Sequence, residues 1–309
     1  MVTKKYSVIR RYINSPRKLI RILGEKNIFN WIPDKPYLKL VYWSEMGKRL
    51  NLKNPTTFNE KLQWLKLYDR KPEYTKYVDK YEVRSYISQT IGEEYLIPLL
   101  GIYYSVDEID FDKLPNQFVL KCTHGSHSNI ICTNKNTLNK EEVKSQLRKW
   151  MKKNWFWFGR EWPYKNVKPR IICEKYMEDE SGTGLIDYKF MCFNGKAKCI
   201  FICSNRNSVT GTNIDIYDMN WEPIPCEREK NRRSNSIINK PVNFSLMVEL
   251  AEILAKDIPF VRVDFYEVRG KLYFGEITFF PASGFERFVP DSYDELLGSW
   301  LSLDEVIKK

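Results

Sequence analysis

The most informative part of the chain is the stretch Phe260-Val-Arg-Val-Asp-Phe-Tyr-Glu-Val-Arg-Gly-Lys-Leu-Tyr-Phe-Gly-Glu-Ile-Thr-Phe-Phe-Pro-Ala-Ser-Gly284. It predicts two β-strands joined by a short turn at Gly270, because aromatic and β-branched residues fill both halves. Alternation places Arg262 and Asp264 on one face of the first strand. If the turn closes symmetrically about Gly270, Asp264 lies opposite Glu276 and Arg262 opposite Thr278. Like charges directly opposite on a sheet are destabilising, so the pattern predicts compensation. A divalent cation that bridges both carboxylates is the simplest candidate. The alternative is an exposed hairpin whose acids are neutralised by Arg262 or by solvent.

The composition is that of a folded protein with a large core. The chain has 309 residues, of which 43% are apolar and 15% aromatic, and a chain of this size allows about two domains. No apolar run approaches the roughly 20 residues of a membrane span, and Arg and Lys interrupt the N-terminal stretch, so we expect neither a membrane helix nor a signal peptide. Seven cysteines without a Cys-x-x-Cys pair predict reduced thiols and a cytoplasmic location. Only two histidines are present, which excludes a His-rich zinc site.

The net charge of +11 is concentrated near the N-terminus. Apolar residues interleave there with cations, and Pro16 and Gly24 predict the start and stop of a helix. Residues 1–28 therefore have the composition of a basic amphipathic segment that binds an anionic membrane surface, with the protein peripheral to the inner membrane face. A helix packed on its own protein is the alternative. A nucleic-acid partner is disfavoured, because no RNA- or DNA-binding motif follows. The basic residues of this segment are Lys4, Lys5, Arg10, Arg11, Arg17, Lys18, Arg21 and Lys26.

Thr57 and Glu60 form a capping box that starts one helix, and a second helix is expected over 79–87. Two segments, around Lys80 and Lys121, predict phosphate contacts. Lys80 lies in the first turn of that second helix, where the helix dipole disfavours a cation unless an anion binds there. Lys121 ends a predicted strand and is followed by a polar loop whose N–H groups and hydroxyls can donate to phosphate oxygens. Solvent-facing lysines and an ordinary polar turn are the alternatives.

The loop after Lys121 contains both histidines of the chain. We expect His124 to contact phosphate or substrate and His127 to be structural. Further along, Arg170-Ile-Ile-Cys-Glu-Lys-Tyr-Met177 predicts an apolar strand that ends in charged residues. In the next predicted strand, period two puts Asp187 and Lys189 on one face. A surface ion pair, which contributes little to stability, is the alternative for these two residues.

The order Arg-x-Asp, hairpin, Glu-x-Thr, Pro and Gly resembles the metal-binding end of the ATP-grasp ligases, of which the D-alanine–D-alanine ligases are the familiar example. The resemblance implies that Asp264 and Glu276 hold magnesium on ATP and that Arg262 contacts the transferring phosphoryl group. Thr278 stands where the family usually has Asn, so it keeps a neutral oxygen ligand with a shorter reach.

The resemblance also implies a nucleotide site. An Asp-Lys pair at the place of Lys80 reaches the phosphates in this family. A Glu-Lys-aromatic-aliphatic run forms the hinge, where the backbone reads the adenine edge and Glu174 accepts from the exocyclic amine. An acid at the place of Asp187 accepts from ribose hydroxyls, and Lys189 then points at the triphosphate. The implied residues are Lys80, Lys121, His124, Gly125, Ser126, Glu174, Lys175, Met177, Asp187 and Lys189 for the nucleotide; Arg262, Lys121 and Lys80 for catalysis; Asp264, Glu276 and Thr278 for the metal; and Arg206, Asn207, Ser283 and Gly284 for the substrate.

The resemblance is closest to the TupA-like ATP-grasp group of bacterial surface-polysaccharide loci and spans roughly residues 50–300. Asn54-Pro-Thr-Thr-Phe-Asn-Glu-Lys61, Asp79-Lys80 and Lys121-Cys-Thr-His-Gly125 fit that group. It implies an α+β ATP-grasp fold that holds the nucleotide between two α+β subdomains. We expect a basic N-terminal segment over 1–40, a helical region over 41–110, a lid subdomain over 111–178 and a catalytic subdomain with the metal hairpin over 179–309.

The implied function is that of an ATP- and Mg²⁺-dependent carboxylate–amine ligase of capsular or other cell-surface polysaccharide biosynthesis. A substrate carboxylate attacks the γ-phosphoryl group to give an acyl phosphate, and an amine then displaces phosphate. Small-molecule or glycan substrates are expected, such as a uronic acid with an amino acid or amino sugar. Two alternatives remain open. One is a glycosyltransferase in which Asp215 and Asp218 hold a metal–diphosphate, and the other is a non-catalytic ATP-binding protein.

Overall fold

The structure, a computed structural model, describes residues 16–178, 184–205, 211–234 and 238–307. Within these ranges the α-helices are α1 Pro16–Glu25, α2 Asp34–Met46, α3 Phe58–Tyr68, α4 Tyr74–Val78, α5 Val83–Thr90, α6 Lys140–Met151, α7 Phe156–Gly159, α8 Phe244–Leu254, α9 Ser292–Trp300 and α10 Asp304–Ile307. The strands are β1 Leu99–Tyr103, β2 Phe118–Cys122, β3 Asn129–Cys132, β4 Ile171–Lys175, β5 Asp187–Phe193, β6 Lys196–Ser204, β7 Asn213–Asp218, β8 Glu227–Arg228, β9 Phe260–Val268, β10 Lys271–Thr278 and β11 Phe288–Val289. Short 3-10 helices include Trp162–Tyr164 and Pro281–Gly284.

Two antiparallel sheets organise the chain. The smaller has the order β1-β4-β2-β3 and the larger the order β10-β9-β5-β6-β7, while β8 and β11 form a separate two-stranded ribbon. Helices pack on both sheets, so the predicted α+β class is confirmed. The first strand of the smaller sheet, β1, precedes residue 111 and so lies outside the range expected for the lid.

Each sheet has its own hydrophobic core. In the smaller sheet, buried residues such as Leu120 and Cys173 pack with Val143 and Leu147 of α6. The larger sheet is the centre of a more extensive cluster that includes α3, α8 and the aromatic residues of β9. Helix α6 covers one face of the smaller sheet and α8 one face of the larger sheet. The polar residues of β2, β4, β9 and β10 lie on the faces that these helices leave uncovered, and they form a common site.

The residue pairs of the hairpin β9–β10 are those that the sequence predicts, but the turn and the strand register that produce them are different. Asp264 lies opposite Glu276, and Thr278 lies opposite Arg262. The turn is the dipeptide Arg269-Gly270, with φ values of 52° and 71°, which corresponds to the tight turn favoured in two-residue hairpins. This turn pairs Lys271 with Val268, and the register then shifts by one residue between Phe274 and Glu276. The bulge at Gly275 therefore brings the two carboxylates opposite each other.

The predicted helix starts are confirmed in part. Thr57 and Glu60 form both bonds of a capping box at the start of α3. The segment expected to be helical from residue 79 instead begins with a turn, in which the Asp79 carboxylate accepts from the backbone N–H of Tyr81 at 2.9 Å. Helix α5 starts only at Val83. Lys80 therefore belongs to a turn and not to the first turn of a helix.

The predicted N-terminal helix is present as α1, which packs against α2. A Cβ on Gly24 would lie 2.9 Å from Tyr37 Oη, which shows how closely the two helices approach. The preceding part of the basic segment, residues 1–15, lies outside the described residues. No helix in the described ranges has the length and apolar character required to cross a bilayer.

Candidate active site

The polar face of the larger sheet carries a compact network of charges. Arg262 donates from Nε to Asp264 Oδ1 and from Nη2 to Asp264 Oδ2, both at 2.7 Å. The same Nη2 donates to Glu276 Oε1 at 2.7 Å. Lys189, on the neighbouring strand β5, lies 2.5 Å from Asp264 Oδ2 and 2.9 Å from Asp187 Oδ2. The opposed carboxylates are thus neutralised by Arg262 and Lys189. The hairpin is not exposed as the alternative supposed, because Asp264 is fully buried.

Burial and charge pairing compete at these side chains. Burial alone would lower the pKa values of Arg262 and Lys189, but Asp264 and its neighbouring acids outweigh burial and raise both. Burial alone would raise the pKa of Glu276, but Arg262, Lys80 and Lys189 outweigh it and hold the pKa at about 2. Glu276 is therefore an anion at neutral pH, although it lies directly opposite a second carboxylate.

Two lysines approach this network from outside the larger sheet, Lys121 from strand β2 of the smaller sheet and Lys80 from the turn before α5. Lys121 Nζ lies 2.7 Å from Glu174 Oε2, across the β2–β4 pair. Burial lowers the pKa of Lys121, but Glu174 outweighs burial, with Glu276 contributing across the cleft, so that the pKa is raised. Burial lowers the pKa of Lys80, and Glu276 acts in the opposite direction. The charges of the two sheets therefore act on one another, and Lys80, Lys121 and Glu276 belong to one site.

The turn that carries Lys80 is hydrogen-bonded to the loop that follows Lys121 (residues 123–128), which we call the lid loop. Lys80 Nζ donates to the Gly125 carbonyl at 2.5 Å, and its backbone N–H donates to the Thr123 carbonyl at 3.2 Å. Asp79 is buried and pairs with Arg170 at 2.5 Å. Arg170 was not predicted, and the only sequence signal for it is a basic residue at the start of an apolar strand.

The loop after Lys121 is held by its buried histidine, His124. His124 is buried, and its Nε2 lies 3.1 Å from the Trp150 carbonyl at the end of α6. Its Nδ1 has no hydrogen-bond partner among the described residues, and burial lowers its pKa. His124 therefore anchors the loop to α6 through Nε2. Gly125 is buried against Trp155, whereas Ser126 is half-buried and His127 is exposed.

Glu174 on the hinge strand β4 pairs with a further cation, Arg84 of helix α5, for which the sequence analysis gives no site role. Arg84 Nη1 lies 3.1 Å from Glu174 Oε1, so that the two carboxylate oxygens of Glu174 are shared between Arg84 and Lys121. Glu174 is thus a counterion for both cations in addition to any contact with an adenine amine. The Lys175 N–H donates to the Pro98 carbonyl at 3.0 Å, and the half-buried Met177 follows the end of β4.

The predicted substrate residues are only partly described. Arg206 and Asn207 lie outside the described residues. Ser283 and Gly284 follow β10 closely, and the Ser283 hydroxyl donates to Glu161 Oε1. Gly284 is in the left-handed region with φ of 62°, and a Cβ there would lie 2.5 Å from Gln63 Nε2. The side chain of Ser283 is therefore directed to the protein interior.

The two aspartates of the glycosyltransferase alternative do not form a pair. Asp215 and Asp218 are three residues apart on β7 and so point to opposite faces of the sheet. Asp215 is buried and accepts from the Ser234 N–H at 3.1 Å. The Asp218 carboxylate accepts from the Glu222 N–H at 2.8 Å. Both carboxylates serve local backbone structure, which does not support a metal–diphosphate site there.

The donor set on the hairpin fits magnesium held together with a phosphate ligand. No group of three or more His, Cys, Asp and Glu residues in the described part of the chain could enclose a metal. Mg²⁺ usually keeps several waters and is bound by one or two carboxylates plus substrate phosphates, not by an all-protein cage. Asp264 and Glu276 would supply two such carboxylates, and the hydroxyl of Thr278 lies two residues further along β10.

Comparison with known proteins gives a family and several similar folds. The D-alanine–D-alanine ligase from Bacillus anthracis complexed with ATP is 16% identical, and the match covers 75% of this chain and 66% of that one, with a TM-score of 0.43. The match thus spans just under two thirds of that ligase. For the D-alanine–D-alanine ligase from Helicobacter pylori, the identity is 14%, the coverage 79% and 69%, and the TM-score 0.39. For an ATP-grasp RimK domain protein from Sphaerobacter thermophilus, the identity is 8%, the coverage 76% and 70%, and the TM-score 0.40.

No curated protein matches the chain. A family model described as TupA-like ATPgrasp matches residues 60–302, which include both sheets and every site residue that the structure describes. The order of motifs along the chain and the charges that they bring together agree with this match. The chain belongs to the TupA-like ATP-grasp family.

Proposed function

We propose that this protein is an ATP- and magnesium-dependent carboxylate–amine ligase of bacterial cell-surface polysaccharide biosynthesis. The observation that carries the proposal is the cluster of buried cations and carboxylates that act on one another where the two sheets meet. Lys80 and Lys121 lie near the β9–β10 hairpin, where Arg262, together with Lys189 of the neighbouring strand β5, neutralises Asp264 and Glu276. Cations of this kind suit a triphosphate, and the two carboxylates suit its magnesium ion.

Each side chain has a role in this reaction. Asp264, Glu276 and Thr278 would hold magnesium, which when bound supplies charge neutralisation at the phosphoryl oxygens. Lys80 and Lys121 would bind the phosphates from the lid side. Arg262 uses its donors on the two carboxylates in this structure, and in the loaded site it would turn donors toward the transferring phosphoryl group. Such preorganised charge stabilises a transition state at little reorganisation cost.

The proposed chemistry has two steps. A substrate carboxylate, such as that of a uronic acid, attacks the γ-phosphorus of ATP, and ADP leaves to give an acyl phosphate. The amine of an amino acid or amino sugar then attacks the acyl carbon, and phosphate departs with the C–O bonding pair. The result is an amide. The protein supplies binding, orientation and charge in both steps, and a basic group must accept the proton of the amine.

The free and buried state of all seven cysteines supports a reducing, cytoplasmic location for the enzyme. A polysaccharide precursor on the inner membrane face would then be accessible to it. The basic residues before α1 could bring the enzyme to that surface through anionic lipids.

The test combines the protein with MgATP, a set of uronic acids and a set of amino acids, and it measures ADP and new amides. We expect ADP release that depends on a carboxylate and an amide that depends on both substrates. Glu276→Gln should lower this turnover at least about a hundredfold, whereas Glu249→Gln, on the exposed side of α8, should retain it. ATP binding without turnover would favour a non-catalytic protein, and nucleotide release only from a sugar donor would favour a glycosyltransferase.

A further inference from the structure

Helix α3 carries a stripe of buried polar residues that the mechanism does not use. Asn59, Gln63 and Lys66 follow helical spacing and are each 0% exposed. Lys66 Nζ donates to Gln63 Oε1 at 3.0 Å, to the Gly159 carbonyl at 2.6 Å and to the Ser283 carbonyl at 2.8 Å. These three acceptors match the three donors of an ammonium group. A fully buried cation without a metal or substrate contact is rare and implies a specific task.

The contacts of this stripe converge on the loop Pro281–Gly284 and its continuation. Gln63 Nε2 donates to the Ser283 carbonyl at 3.1 Å and to the Gly284 carbonyl at 2.7 Å. Asn59 Oδ1 accepts from the Glu286 N–H at 3.0 Å. Helix α3 therefore holds the loop through backbone groups, and it does so at three successive turns of the helix.

The loop adopts a backbone conformation that needs such support. Ala282, Ser283 and Gly284 are consecutive left-handed residues with φ values of 47°, 56° and 62°. A non-glycine residue in this region is strained and persists only where the surroundings impose it. The strain lies four to six residues after Thr278, just beyond the strand that carries Glu276.

A second buried group holds the same loop from the opposite side. The Ser283 hydroxyl donates to Glu161, which is buried and whose negative charge also acts on Lys66. The backbone of Gly159 passes so close that a Cβ there would lie 1.9 Å from Ser283 Oγ. Segment 159–161 and helix α3 thus enclose the loop between an ammonium group and a carboxylate.

We infer that Lys66 is a positioning residue that, together with Glu161, keeps the loop Ala282–Gly284 in its left-handed form so that its backbone orients the second substrate beside the metal hairpin. The orientation of the substrate rests on the proposed ligase function, whereas the hold on the loop does not. The inference assigns a functional task to α3, which contributes no residue to the phosphate or metal site.

The first test is hydrogen exchange of peptides that cover residues 279–288 in Lys66→Met, a change that keeps the side-chain volume and removes the charge. We expect exchange in this segment to become about tenfold faster, with unchanged exchange in β9 and unchanged affinity for MgADP by calorimetry. Lys149→Met, at an exposed position of α6, is the matched control and should resemble the wild type. Wild-type exchange over 279–288 in Lys66→Met would overturn the inference, whether or not the protein proves to be a ligase.

The second test remains valid if Lys66→Met does not fold. Gly159→Ala should displace the loop because a Cβ at residue 159 clashes with Ser283 Oγ, and exchange over 279–288 should become faster. Glu161→Gln removes the charge that acts on Lys66 and Ser283 and should also make exchange over 279–288 faster. In the ligase assay, Gly159→Ala and Glu161→Gln should each raise the acceptor KM about tenfold while the ATP KM stays within about twofold. Equal losses for ATP and acceptor would indicate general destabilisation and would also overturn the inference.

Discussion

At the scale of single residues, the properties of the site depend on how buried charges are paired. Asp264 is fully buried and accepts from both Arg262 and Lys189, so its removal would leave these two buried cations with one carboxylate partner each, Glu276 and Asp187. Glu276 forms an ion pair with Arg262, and its side chain is 35% exposed. Substitution of Glu276 therefore tests the metal assignment with less damage to the fold than substitution of Asp264.

The depressed pKa of Glu276 predicts a defined dependence of stability on pH. The folded-state pKa is about 2, against an ordinary value of 4.5. Ionised Glu276 therefore adds stability above about pH 4.5, and this contribution is lost as the pH falls toward about 2. Because the side chain is partly exposed, we expect about 1 kcal/mol. The urea midpoints of wild type and Glu276→Gln should differ at pH 6 and converge near pH 2.5, two values that are roughly the limits of this window.

The control for this pH dependence is Glu249→Gln, which removes an exposed carboxylate from α8. Its difference from the wild type should be small at both pH values. A difference between wild type and Glu276→Gln that stays constant from neutral to acid pH would show that Glu276 is not held ionised by Arg262.

Lys121 predicts a second effect at the residue scale. Its ammonium group is held by Glu174 at 2.7 Å and faces the hairpin, so it is already in place for a phosphate. Lys121→Ala should weaken ATP binding more than about tenfold, which corresponds to one lost charge-assisted contact. Lys144→Ala, on the outer helix α6, should leave the affinity unchanged. Equal affinities of the two variants in calorimetry would contradict the assignment of Lys121 to the lid side of the site.

At the scale of secondary-structure elements, the site depends on the bulge in the hairpin. Gly275 lies at the register shift, and a Cβ there would come within 3.0 Å of the Asp264 carbonyl and 3.1 Å of the Tyr266 ring. A side chain at this position would push β10 away from β9 and misalign Glu276 with Asp264. The close approach of two strands, and not the turn, is thus what requires glycine here.

We therefore expect Gly275→Ala to destabilise the protein by about 1–3 kcal/mol and to abolish most magnesium-dependent turnover. Gly270→Ala is the matched control, because a Cβ there meets nothing within 4 Å. Its left-handed conformation costs about 1–2 kcal/mol, but the carboxylates should stay aligned and turnover should persist. Thermal unfolding and ADP release, measured on both variants, separate stability from alignment. Loss of turnover in both to the same extent would contradict the role of the bulge.

At the scale of the whole molecule, the two sheets must approach for the charges to meet. Lys80 illustrates this, because its side chain bonds to Gly125 of the lid loop while its charge interacts with Glu276 of the other sheet. The N-terminal helix α1 packs on α2 and lies close to Phe158. Its residues precede the range 60–302 that the family model matches, and none of them belongs to the site described above. Its contribution is therefore expected in stability and not in nucleotide binding.

Two truncations separate the roles of the N-terminal segment. Removal of residues 1–25 should lower the Tm by several degrees, because it exposes the surface of α2 that α1 covers. Removal of residues 1–15 should leave the Tm and ATP affinity unchanged. If Lys4, Lys5, Arg10 and Arg11 bind a membrane, that shorter truncation should abolish salt-sensitive binding to anionic vesicles, since each basic residue contributes about 1 kcal/mol near such a surface. Vesicle flotation at low and high salt measures this, and identical flotation of full-length and truncated protein would contradict membrane binding.

The amino-acid sequence by itself determined the local features of this protein. The capping box at Thr57 and the strands around Lys121 and Glu174 follow from side-chain periodicity and local backbone preference. The sequence also predicted that Asp264 lies opposite Glu276, although the bulge at Gly275 that sets this register was not predicted. Such signals involve residues close in the chain, so they can be recognised without a structure. The order of these motifs also indicated the family.

Only the tertiary structure decided how distant side chains share their charges. Arg84 pairs with Glu174, Arg170 with Asp79, and Lys66 with the loop around Ser283. The partners in each pair are separated by 90 or more residues. No local pattern specifies which buried cation meets which carboxylate or carbonyl. That choice follows from the packing of two sheets and α3, because a buried charge is stable only where the fold brings it a partner.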